Sequence, residues 1–298
     1  MPGSGSRTKQ VISASRRTDI PAFYMDWFME SLSRGFFEVE NPYSRTLLTI
    51  PVNPDNTHTL VFWSKNFGPF IQGGYGEKLT SMGYHLFFNF TINSDHPILE
   101  PHVPELSQRL KQLTFLCDRF DSKAITWRFD PICHYQVDKG REQNNLSDVQ
   151  EIAEHAARAG IGRCVTSFVD LYTKVLARTG PDFSLVDIPR ERKINLILSM
   201  ENLLLPLGIR LFLCCEKEIL MHLPKNSTVA KAACIPSQDL IKLFGQGISR
   251  AQDRGQRKNQ GCGCGLSRDI GSYRFHPCYH NCLFCYANPR EPRGYGHD

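Results

Sequence analysis

From Val11 onward, apolar residues fall in short runs, separated by longer stretches in which they recur every three or four positions. Six runs, at residues 11–15, 60–63, 85–90, 124–129, 163–168 and 210–214, are short and apolar or β-branched, as strands buried on both faces are. The stretches between them read as helices. Residues 104–120 place Leu106, Leu110, Leu113 and Cys117 on one face. Ser147-Asp148-Val149-Gln150 has the form of a capping box, opening a helix that runs toward Gly160. Residues 189–205 carry Ile194, Ile197, Leu198 and Glu201 at helical spacing, and Asp19 with Pro21 marks a helix start after the first run. Repeated β-α-β units imply a parallel sheet. The predicted α/β architecture is a full or partial (β/α) barrel carrying a C-terminal cysteine-rich cluster-binding segment; an open doubly wound sheet is the alternative.

Polar residues gather just after the predicted strands, where a barrel places its chemistry. Arg16, Arg17, Thr18 and Asp19 follow the first, and Ser64, Lys65 and Asn66 the second. Asn89 and Thr91 end the third, Arg128 and Asp130 the fourth, Ser167 and Asp170 the fifth, and Cys214, Cys215 and Glu216 the sixth. Asp19 alone reads as a helix cap and Lys65 alone as a solvated side chain. As a set, Arg16, Arg17, Asp19, Lys65, Asn66, Arg128 and Asp130 form a candidate catalytic pole suited to an anionic or zwitterionic small molecule.

Composition changes the picture little: 41% hydrophobic and 22% charged residues are ordinary for a soluble domain. No apolar run approaches the roughly 18–20 residues of a membrane helix, and residues 1–10 lack the apolar stretch of a signal peptide. A cytoplasmic protein without membrane partners is expected. The expected organisation is a flexible tail over 1–10, a barrel-like domain over 11–245 and a cluster segment over 246–298 packed on it, with a polar linker at 245–261. That last segment carries eight Lys or Arg against four acids, and so +4 of the formal +5. Its excess suits nucleic acid or the compensation of thiolate charge.

The cysteines carry the sharpest signal. There are eleven, an odd number, which in a reducing compartment points to metal rather than disulfides. Cys278-Tyr-His-Asn-Cys282-Leu-Phe-Cys285 spaces three thiols on one tight loop, enough for three corners of a cubane and leaving the fourth iron open. A zinc site completed by His276 or His280 is the alternative. Cys262 and Cys264 lie between glycines in a polar loop where core burial is implausible; with Cys215 and Cys234 they form a candidate second metal site, Cys214 being a rival for Cys215.

The triad spacing, with Phe284 just before the last cysteine, resembles the signature of the radical S-adenosylmethionine superfamily, and the loop is similar to that of its spore photoproduct lyase branch. The resemblance implies a [4Fe–4S] cluster on Cys278, Cys282 and Cys285, with Phe284 in the cofactor site. It also implies S-adenosylmethionine on the open iron, a 5′-deoxyadenosyl radical, and a reductant such as flavodoxin or ferredoxin. In that superfamily the triad follows the first strand; here the C-terminal loop must fold back over the barrel mouth. Nearly the whole chain resembles a bacterial domain of unknown function numbered eighteen forty-eight. This rests on Ile12-Ser-Ala-Ser-Arg-Arg-Thr-Asp-Ile-Pro-Ala-Phe-Tyr24, Phe62-Trp-Ser-Lys-Asn66, Arg128-Phe-Asp-Pro131, Cys262-Gly-Cys264, Asp269-Ile-Gly271 and residues 278–288.

Three functions follow. The first is a radical enzyme with one or two [4Fe–4S] clusters, acting on a small-molecule or nucleotide-like anionic substrate. The second is a non-catalytic iron–sulfur protein for electron transfer or redox sensing. The third is a zinc-dependent nucleic-acid-binding module, disfavoured because no aromatics interleave the basic run from Arg250 to Lys258.

Overall fold

The computed structural model describes residues 8–41, 44–255 and 257–287. All six expected strands form: Gln10–Ala14, Thr57–Ser64, His85–Thr91, Ile125–Ile132, Arg163–Phe168 and Arg210–Leu213. They lie side by side in chain order and every pairing is parallel. Two-residue strands extend the sheet to eight: Ala230–Lys231 beyond the sixth strand and Arg268–Asp269 beyond the first. Among the six main strands the order never reverses, and only the two-residue strand Arg268–Asp269 returns to the far side of the first.

A closed barrel does not form. Ala230–Lys231 and Arg268–Asp269 are the two edges and do not pair with each other. Each contributes only two ladder residues, too short a strand to bridge the gap. Of the full or partial barrel expected, the full form is thereby corrected to an open, eight-stranded parallel sheet.

Alternation along the strands explains the two faces. Ile12, Phe62, Phe88 and Trp127 point into one core shared with the helices Met25–Arg34, Leu106–Arg119, Val149–Arg158 and Arg190–Leu204. Leu106, Leu110 and Leu113 are buried as their spacing predicts, and Cys117 packs at the edge of this core. Phe62, Phe67, Phe70 and Phe88 meet ring to ring, and full burial of such a side chain contributes about 1.5–3 kcal/mol. The opposite face carries Val11, Val61, Phe87 and Val165. It is covered by Leu240 of the helix Ser237–Phe244 and by Cys234, Cys262 and Cys264.

The capping box at Ser147 does not form. Asp148 is the cap residue of Val149–Arg158 but makes no side-chain cap bond; its carboxylate accepts the Asp95 N–H at 3.0 Å instead. A tertiary partner has displaced the local one. Two small antiparallel units carry no clear periodic signal: the hairpin of Phe36–Glu40 and Leu47–Pro51, and the sheet of His134–Val137, Gln143–Asn144 and Phe183–Val186. The latter builds a satellite core in which Tyr135, Phe183 and Leu185 pack with Cys282 and Phe284. Lys9 and Gln10 are already bonded to Gly247 and Asn56, while residues 1–7 of the expected tail lie outside the described residues. Among the described residues no helix is long and apolar enough to cross a membrane.

Glu201, on the apolar stripe of Arg190–Leu204, is buried. Burial alone would raise its pKa, but hydrogen bonds from Thr228, Ser227 and the Val229 backbone outweigh that and hold the carboxyl below its ordinary value. A depressed folded pKa stabilises the protein above the unfolded value, and this stability is lost as pH falls through the folded value. Glu201→Gln is expected to lower unfolding free energy by about 1.5–3 kcal/mol at pH 7, the worth of hydrogen bonds to a charged group. Urea melts should show the gap closing as pH falls below 4.5, the ordinary carboxyl value; a gap independent of pH would refute the account.

Candidate functional site

Two carboxylates, Asp19 buried and Asp269 partly buried, draw the C-terminal segment over the strand ends. Asp19 caps its own helix by accepting the Ala22 N–H at 3.0 Å. Its other oxygen accepts from Ser64 Oγ and Lys65 N, both at 2.9 Å, and meets His280 Nε2 at 2.8 Å. His280 lies inside the cysteine triad loop, and its second ring nitrogen meets the His102 carbonyl at 3.2 Å. Asp269 accepts from Ser15 Oγ at 2.7 Å, the Arg16 N–H at 2.8 Å and the Gly271 N–H at 3.1 Å. Gly271 permits this approach, since a Cβ there would stand 2.1 Å from Ser15 Oγ. Tyr286 donates to the Arg16 carbonyl. The C-terminal loop therefore folds back as expected.

The result is a cavity of about 350 Å³, in the size range of ligand pockets. Arg16, Arg17, Asp19, Lys65, Arg128 and Asp130 all line it. Asn66 does not: its side-chain oxygen accepts from the Gly68 N–H and Gln112 Nε2, both at 2.9 Å, and serves the following helix. The cations expected to grip a ligand are also engaged with the protein. Arg17 donates to the Gly271 carbonyl, Lys65 pairs with Glu100 and Arg128 with Asp130, and Arg257 donates to Asp170 at 2.7 Å.

Cys278, Cys282 and Cys285 line one wall with Phe284, whose ring lies 5.2 Å from Lys65 Nζ. Their thiols are within electrostatic reach of one another; burial pushes Cys278 up to about 12 and raises Cys282 and Cys285 as well. Asn281, between them, takes a left-handed backbone at φ +51°, which asparagine tolerates. The two histidines that would complete a zinc site are turned elsewhere. His280 is on Asp19, while His276 packs 4.1 Å from Trp27 and is lowered to about 4 by burial.

The second cysteine set converges on another wall, and Cys214 joins it. Cys214 contacts both Cys215 and Cys234 at 3.8 Å. Cys215 also meets Cys262, Cys262 meets Cys264, and Cys264 meets Cys234, so five thiols close a ring. Consecutive strand residues point to opposite faces. Cys214 and Cys215 reach one ring because Cys215 adopts φ +63°, a left-handed conformation costing a non-glycine residue about 1–2 kcal/mol. Hydrogen bonds from Cys234 and Cys262, with Arg16 nearby, hold Cys264 well below the ordinary thiol range. Across the ring, Cys214 is pushed up to about 12, chiefly by its hydrogen bond to Cys215; for Cys215 that same bond acts downward, but the bond to Cys262 and burial outweigh it and push Cys215 to about 12 as well.

Among the described residues no group of three or more Cys, His, Asp or Glu is arranged to hold a single metal ion. The donor chemistry nonetheless fits polynuclear clusters: three soft sulfurs on one wall, five on another, and buried cations against both. Sequence reasoning weighed His280 only as a zinc ligand and missed Asp269, Glu100, Trp63 and Arg257. Asp269 and Trp63 stood within the resemblance strings, and His280 inside the triad; Glu100 and Arg257 gave no signal.

The family model described as Domain of unknown function (DUF1848) matches residues 11–287. A search of curated proteins gave no match.

Removing His280 should free the triad loop. His280→Ala leaves Asp19 short of one partner, at a cost of about 1–3 kcal/mol. Cys282, 4% exposed, should become markedly faster to alkylate under native conditions, as mass spectrometry would report. An unchanged rate would mean that His280 does not fasten the loop. Gly263 is equally constrained, because a Cβ would stand 2.4 Å from the Ala232 carbonyl oxygen. Gly263→Ala should displace its two flanking cysteines and speed their alkylation, leaving Cys282 unaffected.

Proposed function

The chain belongs to the DUF1848 family, whose function is unknown, and from that premise we propose that it is an iron–sulfur enzyme of the radical S-adenosylmethionine kind. One observation carries the reading: the C-terminal triad loop is fastened by Asp19 over a cavity lined with polar strand ends. An electron carrier needs no such cavity. The zinc alternative is weakened because His280 is engaged with Asp19 and the ring of His276 packs against Trp27.

Cys278, Cys282 and Cys285 would hold a [4Fe–4S] cluster with one iron free of protein, and four of the five ring cysteines a second. When bound, the first cluster supplies one electron that cleaves a carbon–sulfur bond of S-adenosylmethionine, yielding a 5′-deoxyadenosyl radical. The chain's own residues set the conditions for this chemistry. Phe284 and Trp63 give the cavity apolar walls that limit water. Lys65, kept charged against burial by Glu100 and Cys282, offsets thiolate charge beside the triad. Arg257, half exposed at the mouth with Asp170 and Tyr172, is the cation best placed to meet an anionic substrate group. Flavodoxin or ferredoxin would serve as reductant.

Protein reconstituted anaerobically should bind about eight irons if both sites hold clusters and about four if one does. Reduction with S-adenosylmethionine should release 5′-deoxyadenosine. Cys282→Ala should abolish that release and about four irons while far-ultraviolet circular dichroism stays unchanged, since the loop lies outside the main core. Absence of 5′-deoxyadenosine from cluster-replete protein, with the cluster's paramagnetic signal insensitive to S-adenosylmethionine, would leave the electron-transfer reading in its place.

A further inference from the structure

Buried guanidinium groups are expensive, and a protein keeps them only where their charge and donors are used. Arg128 is 6% exposed and donates from one nitrogen to Asp130. From the other it donates to Cys234 Sγ at 2.7 Å. Arg16 is arranged in parallel. It lies within electrostatic reach of Asp269 and Cys264 and donates to Ser267 Oγ at 3.2 Å. Both guanidinium carbons stand against the Trp63 ring, at 5.3 Å for Arg128 and 5.7 Å for Arg16. The indole is itself fixed, donating from Nε1 to Ser13 Oγ at 3.1 Å, while Ser13 donates to Asp269 at 3.2 Å. Arg128 is thus locked with an N–H on one sulfur of the five-cysteine ring, and Arg16 is held with its charge beside the neighbouring sulfur of Cys264.

The triad wall is arranged differently. Its nearby cations are engaged with oxygen: Lys65 with Glu100, and Arg178 with the carbonyls of Leu283 and Cys285. Reduction of an iron–sulfur cluster adds negative charge, and N–H···S bonds with adjacent positive charge stabilise the reduced form.

We propose that Arg16 and Arg128 are positioning residues of the five-cysteine site, and that their charge beside its sulfurs, with the Arg128 hydrogen bond to Cys234, makes its cluster the more readily reduced of the two, the electron acceptor across the cavity. This rests on the two-cluster reading above. It assigns the arginines to the cluster and not to the substrate.

The test is a redox titration of reconstituted full-length protein, followed by electron paramagnetic resonance, with iron analysis of every sample. In wild type the five-cysteine centre, identified by its loss in Cys262→Ala, should reduce at the higher potential. In Arg128→Met and in Arg16→Met its reduction equilibrium should become at least tenfold less favourable, 59 mV for one electron, with the triad centre unmoved. Arg128→Lys, which keeps the charge and one donor, should recover part of the shift. Selective loss of about four irons from a Met variant, with the triad centre intact, would equally support the positioning role. About eight irons in all variants with both potentials unchanged, or a triad centre at the higher potential in wild type, would overturn the proposal and leave the two clusters standing. A wild-type count near four, unaltered by Cys262→Ala, would remove the two-cluster reading and this inference together.

Discussion

A carboxylate taken out of water must have its oxygens hydrogen-bonded, and the strand-end architecture of this protein depends on that constraint at Asp19 and Asp269. Neither finds enough partners within its own segment. Asp19 completes its set with Ser64, the Lys65 backbone and His280, which ties the first strand to the second and to a loop more than 250 residues away. Asp269 completes its set with Ser13, Ser15 and the Arg16 backbone, bringing a two-residue strand alongside the first strand. The need to satisfy one buried and one partly buried acid thus returns the C-terminal cysteines to the N-terminal end of the chain.

The same rule organises charge around the cavity. Lys65, Arg128 and Arg257 each have a carboxylate partner, and Arg16 and Arg17 share Asp269. Such pairs are a poor source of net stability, because desolvation offsets their attraction. They fix geometry instead. With the acids answering the arginines, a remaining donor of Arg128 points at sulfur and the charge of Arg16 lies beside one, so the charge pattern is read most simply as a frame built around thiols.

The open sheet follows from the same interior. In a closed barrel the inner face is filled by layers of branched apolar side chains. Here Val11, Val61, Phe87 and Val165 fill only part of it, and Ser13, Trp63, Asn89, Arg128 and Cys214 take the rest. Asn89 donates to the Cys234 carbonyl at 3.1 Å, so even the sheet interior is tied to the cysteine segment. The space that further strands would close is taken by Ser237–Phe244 and the ring of thiols.

Local pattern determined a good deal. Short apolar runs specified all six main strands, because a strand buried on both faces has to be apolar throughout, and helical spacing specified the stripe of Leu106, Leu110 and Leu113. The C-x3-C-x2-C spacing marked its loop because three thiols within eight residues have few other uses. The tertiary structure alone decided the rest. It left the sheet open, since closure depends on how far the edge strands extend. It cancelled the capping box at Ser147 when Asp95 offered Asp148 a partner 53 residues away. It removed Asn66 from the site and added Cys214 to the ring through one left-handed residue, Cys215. Partners such as Glu100 for Lys65 and Asp170 for Arg257 are set by where distant backbone segments meet, and a hydrogen bond between residues 35 or 87 positions apart leaves no periodic trace along the chain.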